Sequence, residues 1–519
     1  MTTMTAMAQN DVPSADLSAQ TPAEEKLVPG LTVDVEAQGS FSNSKTPLWL
    51  NANKYGLSSL NAQNGYVRAT ATYEREVAKK LWVKAGADLV LPIGYKSGTG
   101  GHTHTEHFIL QQAYAELDYK LGHLIIGAKQ MPMELKNNEL SSGSQTFGIN
   151  ARPVPQIRLG MNDFWNIPGT KKWVGVKAHI AYGKMTDGSW REDFTRGTGQ
   201  SHNTGPLYHQ KAGYLRFGNE EKFPLTLTAG LEMAGEFGGK TMYADGRCTE
   251  NSESLKSFFN IFAGTGADKG ETVIQNVEGN ILGSWVARLN WKAETWEAGI
   301  YADHFFEDHS AMFFLDYDGY GSGENWDNHE QRRYFRYGLN DIMLGADFKI
   351  KTFRYVNQAV VEFMNTRYQS GPIYHDHSPS VSTHICGRDQ YYNHTLYDGW
   401  QHWGQVLGNP LYLSPLYNDN GYIGTSCNRF YAWHWAIAGD PIDGLHYRIK
   451  ASWQQGLGTY TEPYLSPREN FSMLFEASYK FPQTSMFKGF TVTGAYGFDH
   501  GELRGNNSGV QIGIKYHVL

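Results

Sequence analysis

The sequence predicts an all-β fold: a transmembrane antiparallel β-barrel of about eighteen strands, with short periplasmic turns and long extracellular loops. Three observations predict it. Apolar and polar residues alternate with period two from end to end, in stretches of roughly 9–13 residues, the length of a tilted strand crossing a bilayer. Connections alternate between short and long. No apolar run approaches the ~18 residues of a membrane helix. Composition removes other classes. Glycine is abundant but not periodic, which excludes collagen, and an aromatic fraction of 14% argues against disorder. A net charge of -7 gives no support for nucleic-acid binding.

Taken in order, residues 1–30 read as a signal remnant and a flexible leader. Ala6-Met7-Ala8 before Gln9 has the small-x-small form of a cleavage site, so the true start is expected upstream. Residues 31–519 read as a single barrel with surface loops. In the first strand Leu31, Val33, Val35, Ala37 and Phe41 share one face, and Thr32, Asp34, Glu36, Gln38 and Ser40 the other. Leu445, Tyr447, Ile449, Ala451 and Trp453 repeat the pattern, as do Phe471, Met473, Phe475, Ala477, Tyr479 and Phe481. The last strand places Val510, Ile512, Ile514, Tyr516 and Val518 on one side. Short connections fall at Val77–Lys80, Leu121–His123, Lys292–Ala293, Lys351–Thr352 and Asp440–Asp443. Long ones fall near 43–64, 94–106, 132–155, 187–208, 238–280, 307–338 and 368–429. A sandwich or propeller has no reason to sort loops by length, whereas an outer-membrane barrel does. Both termini then lie on the short-turn, periplasmic side. Closure leaves no strand edge in lipid, and the lumen of so large a barrel is wide unless loops fill it.

Three segments carry a family resemblance. They are Thr46-Pro47-Leu48-Trp49-Leu50-Asn51-Ala52-Asn53-Lys54-Tyr55-Gly56, the run from Ser142-Gly143-Ser144-Gln145-Thr146-Phe147-Gly148 through Ile149-Asn150-Ala151-Arg152-Pro153-Val154-Pro155-Gln156-Ile157-Arg158, and Gly387-Arg388-Asp389-Gln390-Tyr391-Tyr392-Asn393-His394 leading to Gly408-Asn409-Pro410-Leu411. In this order they resemble the Bacteroidetes branch of the Wzi-type capsule assembly proteins, which are outer-membrane barrels. The resemblance implies eighteen strands and a non-catalytic role in binding capsular polysaccharide and attaching it to the cell surface. It departs from the family in two places. The enterobacterial members carry a helical plug ahead of the barrel, whereas only a short polar stretch precedes the first strand here, so the lumen is expected to be closed by loops or left partly open. Leu519 also stands where a terminal aromatic is common, although Tyr516 lies nearby.

Sugar rings are bound by flat aromatic faces flanked by planar polar groups. Loop 368–429 supplies both, in Tyr374, Arg388, Asp389, Tyr391, Tyr392, Asn393, Trp400, His402, Trp403 and Tyr412. Either these residues face a saccharide, or they pack the loop into a small core over the barrel mouth. We single out Arg388, Asp389, Tyr391, Tyr392, Trp400 and Trp403 as the saccharide contact. Arg152 and Arg158 join them as forks for an acidic sugar carboxylate, unless they pair with lumen carboxylates such as Asp34 or Glu36 and brace the wall. Cys386 and Cys427 bracket the same loop and would close it as a disulfide in an oxidising compartment, the alternative being two free thiols; Cys248 is left over. No cofactor is expected, although Asp316, Asp318 and Glu324 alternate around glycines in a way that suits calcium. His102, His104 and His107 would hold a metal only if folded together, and His375-Asp376-His377 is similar. GxSxG, HExxH and P-loop motifs are missing, so no enzyme is expected. The partners expected are capsular polysaccharide and the lipid bilayer, around a monomer. The alternative function is a porin or channel for small solutes, which rests on barrel size alone.

Overall fold

The computed structural model describes residues 28–98, 102–264, 278–307, 340–374 and 385–519, with four short strands between 315 and 335. The signal remnant and most of the leader, residues 1–27, lie outside the described residues. One sheet of nineteen strand segments dominates the fold. Two of these, Gln156–Met161 and Trp165–Asn166, both pair with Val174–Lys184 and form one interrupted strand, so the barrel has eighteen.

In chain order the barrel strands are β1 (Leu31–Ser42), β2 (Gln63–Ala78), β3 (Leu81–Ile93), β4 (Ile109–Tyr119), β5 (Gly122–Ala128), the interrupted β6, β7 (Val174–Lys184), β8 (Leu207–Phe217) and β9 (Leu225–Phe237). They continue with β10 (Asn280–Lys292), β11 (Trp296–Glu307), β12 (Ile342–Ile350), β13 (Gln358–Asn365), β14 (Phe430–Ile442), β15 (Leu445–Gly458), β16 (Pro463–Lys480), β17 (Phe490–Gly501) and β18 (Asn507–His517). Each pairs antiparallel with its sequence neighbour. The last strand pairs with the first, from Asp34 opposite His517 to Ser42 opposite Gly509, and this closes the barrel.

The expected alternation is present, with the apolar side outward. Val35, Val510, Ile512 and Ile514 are exposed, while Ser40, Gln511, Lys450, Ser452 and Gln454 are buried. In water this arrangement would be inverted. In a bilayer the apolar face meets acyl chains and the polar face needs partners inside. Loop lengths follow the expected sides with one difference. The last two connections on the long side, 459–462 and 502–506, are short.

Among the described residues, three loops fill the lumen. The first, between β1 and β2, carries the one-turn helix α1 (Leu48–Asn51), whose Leu48, Trp49 and Leu50 are buried. The Leu48 amide donates to Asp499 on β17 at 3.1 Å. The second, between β5 and β6, crosses to the far wall. Lys136 pairs with Asp303 on β11 at 2.6 Å, the Ser141 hydroxyl donates to Glu362 on β13 at 2.6 Å, and Thr146 meets Ser284 on β10 at 2.8 Å. The third, between β13 and β14, packs on the second. Trp400 Nε1 donates to the Thr146 carbonyl at 3.1 Å, and the Tyr392 hydroxyl donates to the Gln145 carbonyl. Two of the segments that carry the family resemblance therefore meet here. Their contact requires glycine: a Cβ on Gly408 would sit 1.9 Å from the Tyr392 hydroxyl, and one on Gly148 2.4 Å from the Gly408 carbonyl oxygen.

Of the expected Cys386–Cys427 disulfide, the Cys386 side chain lies outside the described residues. Cys427 is a free, buried thiol. It packs with Leu413 and Leu503 at the foot of the third loop, against Gly456 of β15.

Candidate functional site

On the long-loop side the first, second and third loops meet the loop between β3 and β4 and the helix α2 (Gly188–Thr195) around a cleft of about 470 Å³. Its centre is Trp403. Gln401–His402 and Gln405–Val406 form a two-residue hairpin, and Trp403-Gly404 is its turn. Both turn residues have positive φ, 55° and 75°. Such turns favour Asn-Gly, and a bulky residue held left-handed costs on the order of 1–3 kcal/mol. Gly404 lies against Trp190 and Leu416 too closely for any side chain, at 2.5 and 2.7 Å from a Cβ. The indole is thus presented at the tip of a strained turn, half-buried and facing the cleft.

Arg152 lies under the Trp403 ring, its guanidinium 4.7 Å from the ring centre, and forms an ion pair with Glu106 at 2.5 Å. Two buried polar groups hold this pair from below. His402 Nε2 accepts from the Thr186 amide at 3.2 Å, so its Nδ1 carries the proton and donates to the Arg152 carbonyl at 2.9 Å. Burial keeps His402 below its ordinary value, which matches this neutral form. The Asp187 carboxylate accepts from the Trp403 amide at 3.1 Å and is itself paired with Arg191 at 2.9 Å. Burial pushes the Asp187 carboxyl up, but the Arg191 charge, His402 and the Trp403 amide outweigh it and hold it low. Asp398, also paired with Arg191 at 3.1 Å, is pushed up to about 6 by burial.

The cleft therefore offers an indole face, a guanidinium–carboxylate pair, and Asn61 and Asn418 on its walls. An aromatic platform with planar donors and acceptors beside it is suited to a hydroxyl-rich ring.

Of the residues expected from sequence, Arg152 and Trp403 come together here. Tyr391, Tyr392 and Trp400 do not. They are 0–1% exposed, inside the lumen, because the loop folds inward onto the second loop rather than over the mouth. Asp389 is buried beside them, and the Arg388 side chain lies outside the described residues. Arg158 is on β6 and lines a second cavity of about 90 Å³ with His179, Tyr214 and Glu232; Arg152 and Trp400 line it too, so the structure brings these three expected residues together there. The pairing of these arginines with Asp34 or Glu36 is also corrected. Asp34 pairs with Lys515 and Glu36 accepts from Tyr66, while Arg152 uses Glu106. The side chains of Asp316, Asp318 and Glu324, and residues 375–377, lie outside the described residues. Among the described residues no group of three metal-ligating side chains converges; His104 instead pairs with Asp193 at 2.8 Å. Sequence reasoning missed Glu106 and Trp190. Neither stands in a motif, and an aromatic in a long loop was the only signal for Trp190.

The closed barrel, its outward apolar belt and its loop-filled lumen define an outer-membrane β-barrel. Among solved structures the chain is similar to Wzi of Escherichia coli, an outer-membrane protein involved in group 1 capsule assembly and a carbohydrate-binding β-barrel. The TM-score is 0.52 at 12% identity, covering 93% of this chain and 84% of that one. It is also similar to OprD of Pseudomonas aeruginosa, with a TM-score of 0.43 at 9% identity over 94% and 95% of the two chains. OccK5 (OpdH) of the same organism gives 0.43 at 9% over 94% and 98%. No family model and no curated protein matches the chain.

Proposed function

We propose that the protein is a monomeric surface lectin that binds capsular polysaccharide and helps assemble or attach the capsule, with the saccharide seated in the cleft around Trp403 and Arg152. The observation that carries this reading is Trp403 itself: an indole held at the tip of a strained turn, over a guanidinium, at the mouth of a closed barrel. The ring packs in part on Trp190, Phe194 and Ile423, yet it stays half-exposed in the cleft and its turn costs backbone strain. Three loops bridging the lumen support binding over conduction, and the likeness to the carbohydrate-binding Wzi barrel supports the ligand class.

The test is a titration of the purified protein, in detergent, with capsular polysaccharide from its own cells. Truncating an aromatic hot spot costs about 2 kcal/mol or more, roughly thirtyfold in affinity. Trp403→Ala is expected to lose at least that, and Arg152→Ala to weaken binding as well. Parent-like affinity in both variants would place the saccharide elsewhere. Steady ion conductance from the unaltered protein would favour the channel reading.

A further inference from the structure

The connection between β9 and β10 carries a nine-residue helix, α3 (Leu255–Ala263). It lies on the outer wall of the barrel, not over the mouth. Phe258 meets Phe237 at 5.0 Å and Tyr182 at 5.3 Å, and Ile261 packs in one cluster with Met233, Ile281 and Phe306. Those wall residues face outward, as strand parity shows. Phe237 and Met233 share a face of β9 with exposed Leu227, Ile281 shares one of β10 with exposed Leu289, and Phe306 shares one of β11 with Ile300, which is 63% exposed. The helix is firmly ended. Ser254 accepts from the Ser257 amide at its start, Gly264 closes it in the left-handed conformation, and Lys211 on the outer wall of β8 donates to the Phe262 carbonyl.

Its other face is also apolar. Leu255, Phe259 and Phe262 form one stripe at i, i+4 and i+7, and Leu255 and Phe259 are 85% and 76% exposed. A helix apolar on both faces is normally buried all round. Here the inner face is covered by the barrel; Leu231 and Trp285 of the outer wall pack against the same cluster and lead along their strands to exposed Leu227 and Leu289 of the belt that meets acyl chains. The helix sits at the long-loop end of those strands, the outer-leaflet side.

We propose that α3 is a lipid-contacting element: it lies in the outer leaflet against the barrel wall, with Leu255, Phe259 and Phe262 among lipid acyl chains. The occupant is lipid because the stripe is continuous with the lipid-facing belt and turned in the same direction. The inference is independent of the saccharide reading, since α3 lines no part of the cleft.

The experiment uses the full chain with Cys248 and Cys386 replaced by Ser, a nitroxide attached at Phe259→Cys, and vesicles of dimyristoyl phosphatidylcholine. Accessibility to dissolved oxygen is compared with that to a water-soluble nickel complex. Ile300→Cys on the belt and Asp245→Cys in the adjoining exposed turn give the lipid and water references. A high oxygen-to-nickel ratio at Phe259, equal to that at Ile300, is expected. A ratio equal to that at Asp245 would overturn the proposal. So would low accessibility to both reagents, with or without spin–spin broadening, because a second copy or another protein would then cover the stripe. Leu255→Cys serves in the same assay should the first variant fail to give the heat-modifiable band of a folded barrel.

Discussion

Replacing Arg191 by Met isolates the ionic lock beneath the cleft. Arg191 is fully buried and faces three carboxylates: Asp187 at 2.9 Å, Asp398 at 3.1 Å and Glu236 at 3.7 Å. Methionine keeps the length and removes the charge, so three buried carboxylates lose their cation. Breaking a buried ion pair from one side costs about 3–5 kcal/mol. Asp398 moderates this in acid. With its carboxyl already near 6, it takes up a proton there at little expense, so the lower figure is expected near pH 5.5 and the upper near pH 8. The cost falls on the loops, because the strand ladder is untouched. Opening of α2 is then favoured by roughly two to three and a half decades, and Asp187 no longer holds the Trp403 amide. Amide hydrogen exchange across Gly188–Thr195 measures the opening, and the heat-modifiable gel shift reports the barrel. We expect faster exchange, weaker saccharide binding and an unchanged gel shift. Parent-like exchange at pH 8 would refute the view that Arg191 locks the loops.

Three further outcomes are expected. The folded state keeps the Asp398 proton up to about 6 while the unfolded chain releases it near 3.8, so the contribution of Asp398 to loop stability falls as pH rises from about 4 to 6 and is constant above that. Asp187, held below 3.8, has the opposite sign and loses its contribution only as pH falls below about 4. Asp398→Asn should therefore flatten the urea midpoint of loop release between pH 4 and 6; an unchanged slope would assign it to another group. In a planar bilayer the parent should be close to silent, and excising residues 136–148, which bridge the lumen to Asp303 and Glu362, should produce steady conductance steps. Cys248 should react with a maleimide at once and Cys427 only after unfolding, without reductant; a Cys427 that stays unreactive until reduced would restore the disulfide.

Much of the barrel was legible because its signal is local and repeated. Val510, Ile512 and Ile514 against Gln511 state which face meets lipid, since side chains alternate across a strand whatever lies beyond it. Loop-length alternation placed the termini and the mouth for the same reason: a hairpin needs few residues and a surface loop tolerates many. Charged residues on the inward face also implied a wet or filled lumen, without saying which.

What fills the lumen, and which aromatics remain at the surface, only the tertiary structure decided. Trp400 and Trp403 are three residues apart on one hairpin, and by sequence they are equivalent. Trp400 is buried because the Thr146 carbonyl, 254 residues away, arrives to accept its indole proton. Trp403 stays half-exposed because the hairpin turns there, over an Arg152 delivered by a different loop. Composition and period determine which backbone groups pair between neighbouring strands. They do not determine which distant loops meet inside the ring, since that depends on a closure no short stretch of chain encodes.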